Sequence, residues 1–260
     1  MHPNSDPAPT STDRPAPTEP TVDGRGEGRV RLSRAAIITA AIGMIDDSGS
    51  LESLTMRSLG SHLGFEAMAL YRYINGREDL LEGIVDTLVE QIGTHPQDDG
   101  EHGPALTDEW QGMLQWTAHC VRQIVLDHPA IFPLIATRNP AAPWLRPPLR
   151  SLRVVEDLLA GLTQCGLSDR QAVATYRIFS SFLLGHLLLE AATRGASTAP
   201  VDEPLNEGDA EIAPPSQDLE VSSYPTLART ATLLAEDHTQ AEFESALEAL
   251  LDRLDRELSR

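Results

Sequence analysis

The sequence predicts an all-α fold, in which a small three-helix head precedes a larger helical bundle. Three observations carry this expectation. Apolar residues recur at three- and four-residue steps, and no alternating strand pattern breaks them. Ser, Thr and Gly stand where those periodic runs begin and end, as helix caps do. With 260 residues and 41% hydrophobic content, the chain can bury one or two sizeable cores.

Residues 1–28 are rich in Pro, Ser, Thr, Asp and Gly, with almost nothing apolar to bury, so a disordered tail is expected there. The first helix starts after Ser33, carries the stripe Ile37, Ala40, Ala41, Met44 and Ile45, and stops at Gly49. Thr55 caps a short second helix that Gly64 ends, and a third runs from about Glu66 to Tyr73. Asn75 and Glu78 suggest a capping box for a long fourth helix with the stripe Leu81, Ile84, Val85, Leu88 and Ile92. In the body, helices are expected over 105–127, near Phe132, over Trp144 to Cys165, over 169–193 and over 240–258. The 169–193 segment is apolar on most of its surface and must be buried on most sides, in part against a second subunit. The last helix spaces Phe243, Leu247, Leu250, Leu251 and Leu254 like a heptad and is expected at the same interface. Residues 195–223 carry seven acids, four prolines and no basic residue, which predicts a mobile acidic loop.

The net charge is −19, yet it is unevenly spread. Residues 24–77 carry a net +2 and residues 78–260 a net −18, all the basic residues being Arg. A mildly basic head on an acidic body turns its head toward phosphates. The two cysteines form no disulfide framework or metal-type spacing. No run of 18 apolar residues and no signal-like apolar core occurs, so a reduced, cytoplasmic protein without membrane contact is expected. No phosphate-binding Gly loop, nucleophile elbow or compact metal spacing is present, so neither an enzyme nor a cofactor is expected.

Function is concentrated in residues 54–81, LTMRSLGSHLGFEAMALYRYINGREDLL. Two short helices meet at Leu63-Gly64-Phe65, with Leu59, Leu63, Phe65 and Leu70 placed to lock them, which is the helix-turn-helix plan. The second helix of such a unit lies in the DNA major groove. Its outer face would present Glu66, Ala67, Met68, Tyr71 and Arg72. Arg72 can pair with guanine O6 and N7, while Ala67 and Met68 suit thymine methyls. Tyr71 and Tyr73 can donate to phosphates, or else pack as ordinary core aromatics. Arg57 and Arg77 would clamp the DNA backbone. Arg25, Arg29, Arg31 and Arg34 are either an arm against DNA or solvated charges.

The segment from Arg31 to Ile92 resembles the DNA-binding domain of the tetracycline-repressor (TetR) family. The resemblance rests on Leu54-Thr55-x-Arg57, Leu59, Leu63-Gly64, Ala69-Leu70-Tyr71-Arg72-Tyr73 and Arg77-Glu78-Asp79-Leu80-Leu81. It implies a homodimer whose helix-turn-helix DNA-binding head, residues 29–76, joins a ligand-binding and dimerisation domain, residues 77–260. It implies a transcriptional regulator, most readily a repressor released from a palindromic operator by a small molecule, with an activator in the same family as the alternative. A helical interaction module that never touches DNA is the rival from another class. Trp110-Gln111, Leu114, His128, Thr137-Arg138, Pro140 and Gly185 to Glu190 extend the likeness into the body. By that register Thr117 stands where a relative places a drug-contacting Asn. The stretch IFPLIA has no magnesium-ligating His, Gly93 replaces a drug-contacting His, and Glu190 matches only with a one-residue shift, so a magnesium–tetracycline ligand is not implied. Candidate ligand contacts are Trp110, Met113, Thr117, Phe132, Trp144, Tyr176 and Ser180, each equally able to serve as core, with His119 as a further polar candidate. The expected effector is uncharged or cationic and partly apolar.

Overall fold

Helix signals in the sequence become ten α-helices among the described residues, and no strand occurs there. The computed structural model describes residues 32–92, 110–137, 145, 147, 151–197 and 224–259. All of these fall in one compact unit that begins at Leu32. The expected tail at 1–28 and nearly all of the acidic loop at 195–223 lie outside the described residues.

Helix α1 spans Arg34–Ser48. Ser33 caps it by accepting the Ala36 N–H at 3.1 Å, and Gly49 closes it in the left-handed region. Ile37, Ile38, Ala41 and Ile45 face inward. A 3-10 turn at Leu51–Ser53 follows, which the sequence did not announce. Helix α2, Met56–Leu63, begins with a reciprocal Thr55–Ser58 capping box, and α3 covers only Ala67–Leu70. The expected third helix is thus shortened, with Tyr71 to Tyr73 continuing as turns. Helix α4 spans Arg77–Val89 and packs on α1. Its cap is Gly76 rather than an Asn75–Glu78 box; Asp79 instead accepts the Asn75 N–H at 2.7 Å. A Cβ on Gly83 of α4 would fall 2.6 Å from Ile38 Cδ1, so the two helices approach through a missing side chain.

The body comprises α5 (Trp110–Asp127), α6 (Phe132–Thr137), α7 (Leu152–Gln164), α8 (Asp169–Thr193), α9 (Pro225–Leu234) and α10 (Thr239–Leu258). Helix α7 starts at Leu152 with Ser151 as its cap, not at Trp144; Pro147 lies outside any helix. Helix α8 has the length and mean hydropathy, 1.4, of a membrane-crossing helix. It is instead the centre of the bundle, packed against α5, α6, α7 and α10.

Two features redistribute the expected dimer surface. On α10, Phe243, Leu247, Leu251 and Leu254 are buried inside this chain, so this stripe belongs to the bundle core. The apolar surface left open belongs elsewhere. Ile178 and Leu189 of α8 are 41% and 70% exposed, with half-buried Phe182 and exposed Gly185 between them on the same stripe. Helix α9 buries none of its residues and exposes Leu227, Leu233 and Leu234.

Candidate nucleic-acid interface and effector cavity

The two helices of the reading head are held by glycine geometry and by a small core. Gly64 turns the chain at φ 74°. Gly60 lets α2 approach the following turn so closely that a Cβ there would sit 2.8 Å from the Phe65 carbonyl oxygen. Sequence reasoning missed Gly60; a glycine inside a short helix, beside a turn, was the available signal. Leu59 and Leu70 are completely buried, while Leu63 and Phe65 close the same contact from a half-buried position.

With the inner face fixed, the outer face is set. Met68 is 73% exposed, Tyr71 47% and Tyr73 41%. Arg57 and Arg72 are exposed and bond to nothing among the described residues. Ala67 is half-buried at the start of α3. The exposed side chains of this segment thus include two guanidiniums, the Glu66 carboxylate, a thioether and two tyrosines. Arg77 is half-buried and donates to the Leu51 carbonyl at 3.5 Å, so it also braces α4 against the 3-10 turn. Arg31 lies outside the described residues.

Arg34 proves to be a framework residue rather than part of an arm. Its guanidinium donates to both Asp79 carboxylate oxygens, at 3.0 and 2.6 Å, and to the Tyr73 carbonyl at 3.2 Å. The bond from Arg34, then the Asn75 N–H, hold the Asp79 carboxyl below its ordinary range. This cluster fixes the corner that presents Tyr73.

A cavity of about 50 Å³ opens in the body between α4, α5, α6, α7 and α8. Val89 and Ile92 reach it from α4 and the residues just beyond it, Thr117 and Val121 from α5, and Ile135 from α6. Ser151, Val154 and Leu158 contribute from α7 and its cap, and Phe179, Ser180, Leu183 and Leu184 from α8. These walls are apolar apart from three hydroxyls and carry no charged side chain. The Thr117 hydroxyl already donates to the Met113 carbonyl at 2.9 Å.

Of the sequence candidates, Thr117 and Ser180 line the cavity. Trp110, Met113 and Phe132 are buried in the surrounding core instead. Tyr176 lies beside the wall and donates its hydroxyl to the Pro147 carbonyl at 3.1 Å. Burial pushes that hydroxyl up to about 12, so it remains a neutral donor. Trp144 lies outside the described residues. His119 points away from the cavity, toward Glu244 and the Phe243 ring. His186 packs between Phe182 and Phe243, at ring-centre distances of 5.7 and 5.4 Å.

Glu190 is consumed by structure. Arg122 grips both its oxygens at 3.0 and 2.8 Å, and Arg194 adds a third bond at 3.2 Å. Arg122 also donates to Gln240 at 3.0 Å and lies over the Phe243 ring at 5.0 Å, so this cluster pins α5, α8 and α10 together.

A family model described as tetracyclin repressor-like, C-terminal domain, matches residues 103–258. The chain belongs to this family. The HTH-type transcriptional repressor Rv1353c of Mycobacterium tuberculosis is 26% identical over 243 residues, spanning 91% of this chain and 86% of the relative. The structure of a possible TetR family transcriptional regulator from Streptomyces coelicolor A3(2) is 27% identical, with a TM-score of 0.61 over 86% of this chain and 99% of that one. The Streptomyces coelicolor TetR family protein ActR, solved in complex with actinorhodin, shares the fold at 21% identity and a TM-score of 0.58, covering 86% of this chain and 96% of its own. This TetR-family chain is therefore a DNA-binding transcriptional regulator, and its all-α head and body are those of the family.

Proposed function

We propose that the chain is a homodimeric repressor that leaves a near-palindromic operator when a compact, uncharged and largely apolar molecule fills its body. The observation that carries this reading is the span of α4. Its first turn is bound, through Asp79 and Arg34, to the corner bearing Tyr73, while Val89 in its last turn forms part of the cavity wall. One rigid helix thus belongs to both sites. Residues 29–76 act as the reading head and 77–260 as the effector and dimer domain. A ligand that prefers one tilt of α4 lowers operator affinity by its differential affinity for the two tilts.

On DNA, Arg72 reads guanine, and Ala67, Met68 and Tyr71 approach the major-groove edge. Arg57, Tyr73 and Arg77 hold the phosphates, with Arg31 reaching the backbone ahead of α1. The dimer forms through the open stripe of α8, assisted by α9, and sets two heads about 34–36 Å apart, or a multiple of that. The neutral cavity wall favours an uncharged effector, since a buried ion needs a partner. ActR, with the same fold, holds actinorhodin, which supports a small-molecule effector here. Glu190 is committed to Arg122, and among the described residues no carboxylate lines the cavity for a magnesium-chelated effector. The regulator acts in the cytoplasm.

The test is a titration with double-stranded DNA from the region upstream of the chain's own gene, repeated across salt concentrations. The expected result is tight binding whose log K falls linearly with log salt, together with a dimer mass in light scattering. Salt-independent or absent binding, or a stable monomer at micromolar concentration, would refute the reading.

A further inference from the structure

Asp46 lies on α1 in the head, and His128 joins the end of α5 to α6 in the body. Their side chains meet with His128 Nδ1 2.8 Å from Asp46 Oδ2, at 20% and 26% exposure respectively. The other oxygen, Asp46 Oδ1, is buried with no hydrogen-bond partner. Burial raises the Asp46 carboxyl above its ordinary range; His128 opposes that rise, and neighbouring Asp47 and Asp127 add to it. The carboxylate is therefore held in an unfavourable place by one partner. A hydrogen bond of this kind weakens steeply with distance and angle, so a small displacement of either side undoes it.

His128 is also a mechanical junction. Its carbonyl accepts the Ile131 and Phe132 N–H groups at 3.0 and 3.1 Å, and its own N–H donates to Ile124 at 2.8 Å. One residue thus ends α5 and starts α6. Within α6, Ile135 forms part of the cavity wall. On the other side, α1 packs against both α2 and α4.

We propose that the Asp46–His128 pair is the polar tie that carries a change in cavity filling through α6 to the reading head. The proposal rests on the chain being an effector-responsive regulator. Filling the cavity displaces Ile135, shifts the start of α6 and alters the pair, and α1 changes its tilt against the body. A competing route runs directly along α4, whose Val89 also lines the cavity, and bypasses His128.

A cavity-filling substitution can stand in for the effector. Ser180→Leu adds apolar bulk to the wall without adding charge. Full-length wild type, Ser180→Leu, His128→Gln and the double variant are titrated against the upstream DNA by fluorescence anisotropy. The expected result is a shift in operator Kd of about five-fold or more from Ser180→Leu alone. In the His128→Gln background that shift falls below about two-fold, and Asp46→Asn reproduces the loss. An equal shift in both backgrounds assigns the coupling to α4 and overturns the tie; no shift in either overturns it as well. A cooperative thermal transition confirms folding of each variant, and Leu184→Phe replaces Ser180→Leu if the latter does not fold. Failure of the wild type to bind the DNA rejects the parent reading, and the tie falls with it. Binding with an unaltered shift rejects the tie alone.

Discussion

Among the described residues, head and body each contain one arginine that grips a carboxylate through two nitrogen–oxygen bonds, and the two pairs do opposite things. Arg34 and Asp79 in the head have side chains 45% and 23% exposed. Arg122 and Glu190 in the body are 6% and 1% exposed. Water competes for the first pair, so its contribution to stability is small, and its value is orientation of the corner bearing Tyr73. The second is almost wholly removed from water, so its ions depend on their protein partners. The head uses charge at its surface, where DNA can meet it. The body buries this one pair inside the bundle, while its other charges stay at the surface and the cavity wall is neutral.

The largest expected effect follows from breaking the buried pair. Arg122→Ala leaves the buried Glu190 with the Arg194 bond alone and should lower stability by about 3–5 kcal/mol in urea denaturation. A loss below about 1 kcal/mol would mean that Arg194 alone suffices and that the two pairs differ less than their burial implies.

A smaller effect is expected at the DNA face. Arg72→Ala should cost about 1–3 kcal/mol of operator affinity and relax sequence preference at one base pair, with little change in stability. Arg57→Ala should weaken binding to all sequences and reduce the salt slope by about one phosphate contact. Unchanged operator binding in Arg72→Ala would remove α3 from the groove.

The smallest effect concerns acid. Asp79 has a lowered folded pKa, so its contribution is complete above its ordinary value, near pH 4, and is lost as pH falls through the folded value. The stability gap between wild type and Asp79→Asn should therefore be constant above about pH 5 and close below about pH 4. A gap that widens with acid would contradict the assigned bonds from Arg34 and Asn75.

The head was legible because its determinants are close in sequence. Ser33, Gly49, Thr55 and Gly64 each do their work within a few residues, and the structure finds them capping as expected. The inner and outer faces of residues 54–77 then follow from helical period alone. Arg34 was misread because its partner Asp79 is 45 positions away. The body resisted for the same reason on a larger scale. Trp110, Met113 and Phe132 look like pocket residues by type, yet packing turned them into core. Val89, Leu158 and Leu183 look like core by type, yet they line the cavity.

By itself, the sequence determined an all-α chain, the caps and inward stripe of the head, and which side chains of residues 54–77 stay at the surface. These are local matters of period and backbone geometry. Only the tertiary structure decided that Arg34 braces rather than reaches, that α10 turns its leucines inward, that Glu190 is locked to Arg122, and which side chains enclose the cavity. Each of these depends on elements far apart in the chain being brought within a few ångströms. Hydrophobic patterning, which is largely indifferent to partner identity, does not specify that choice.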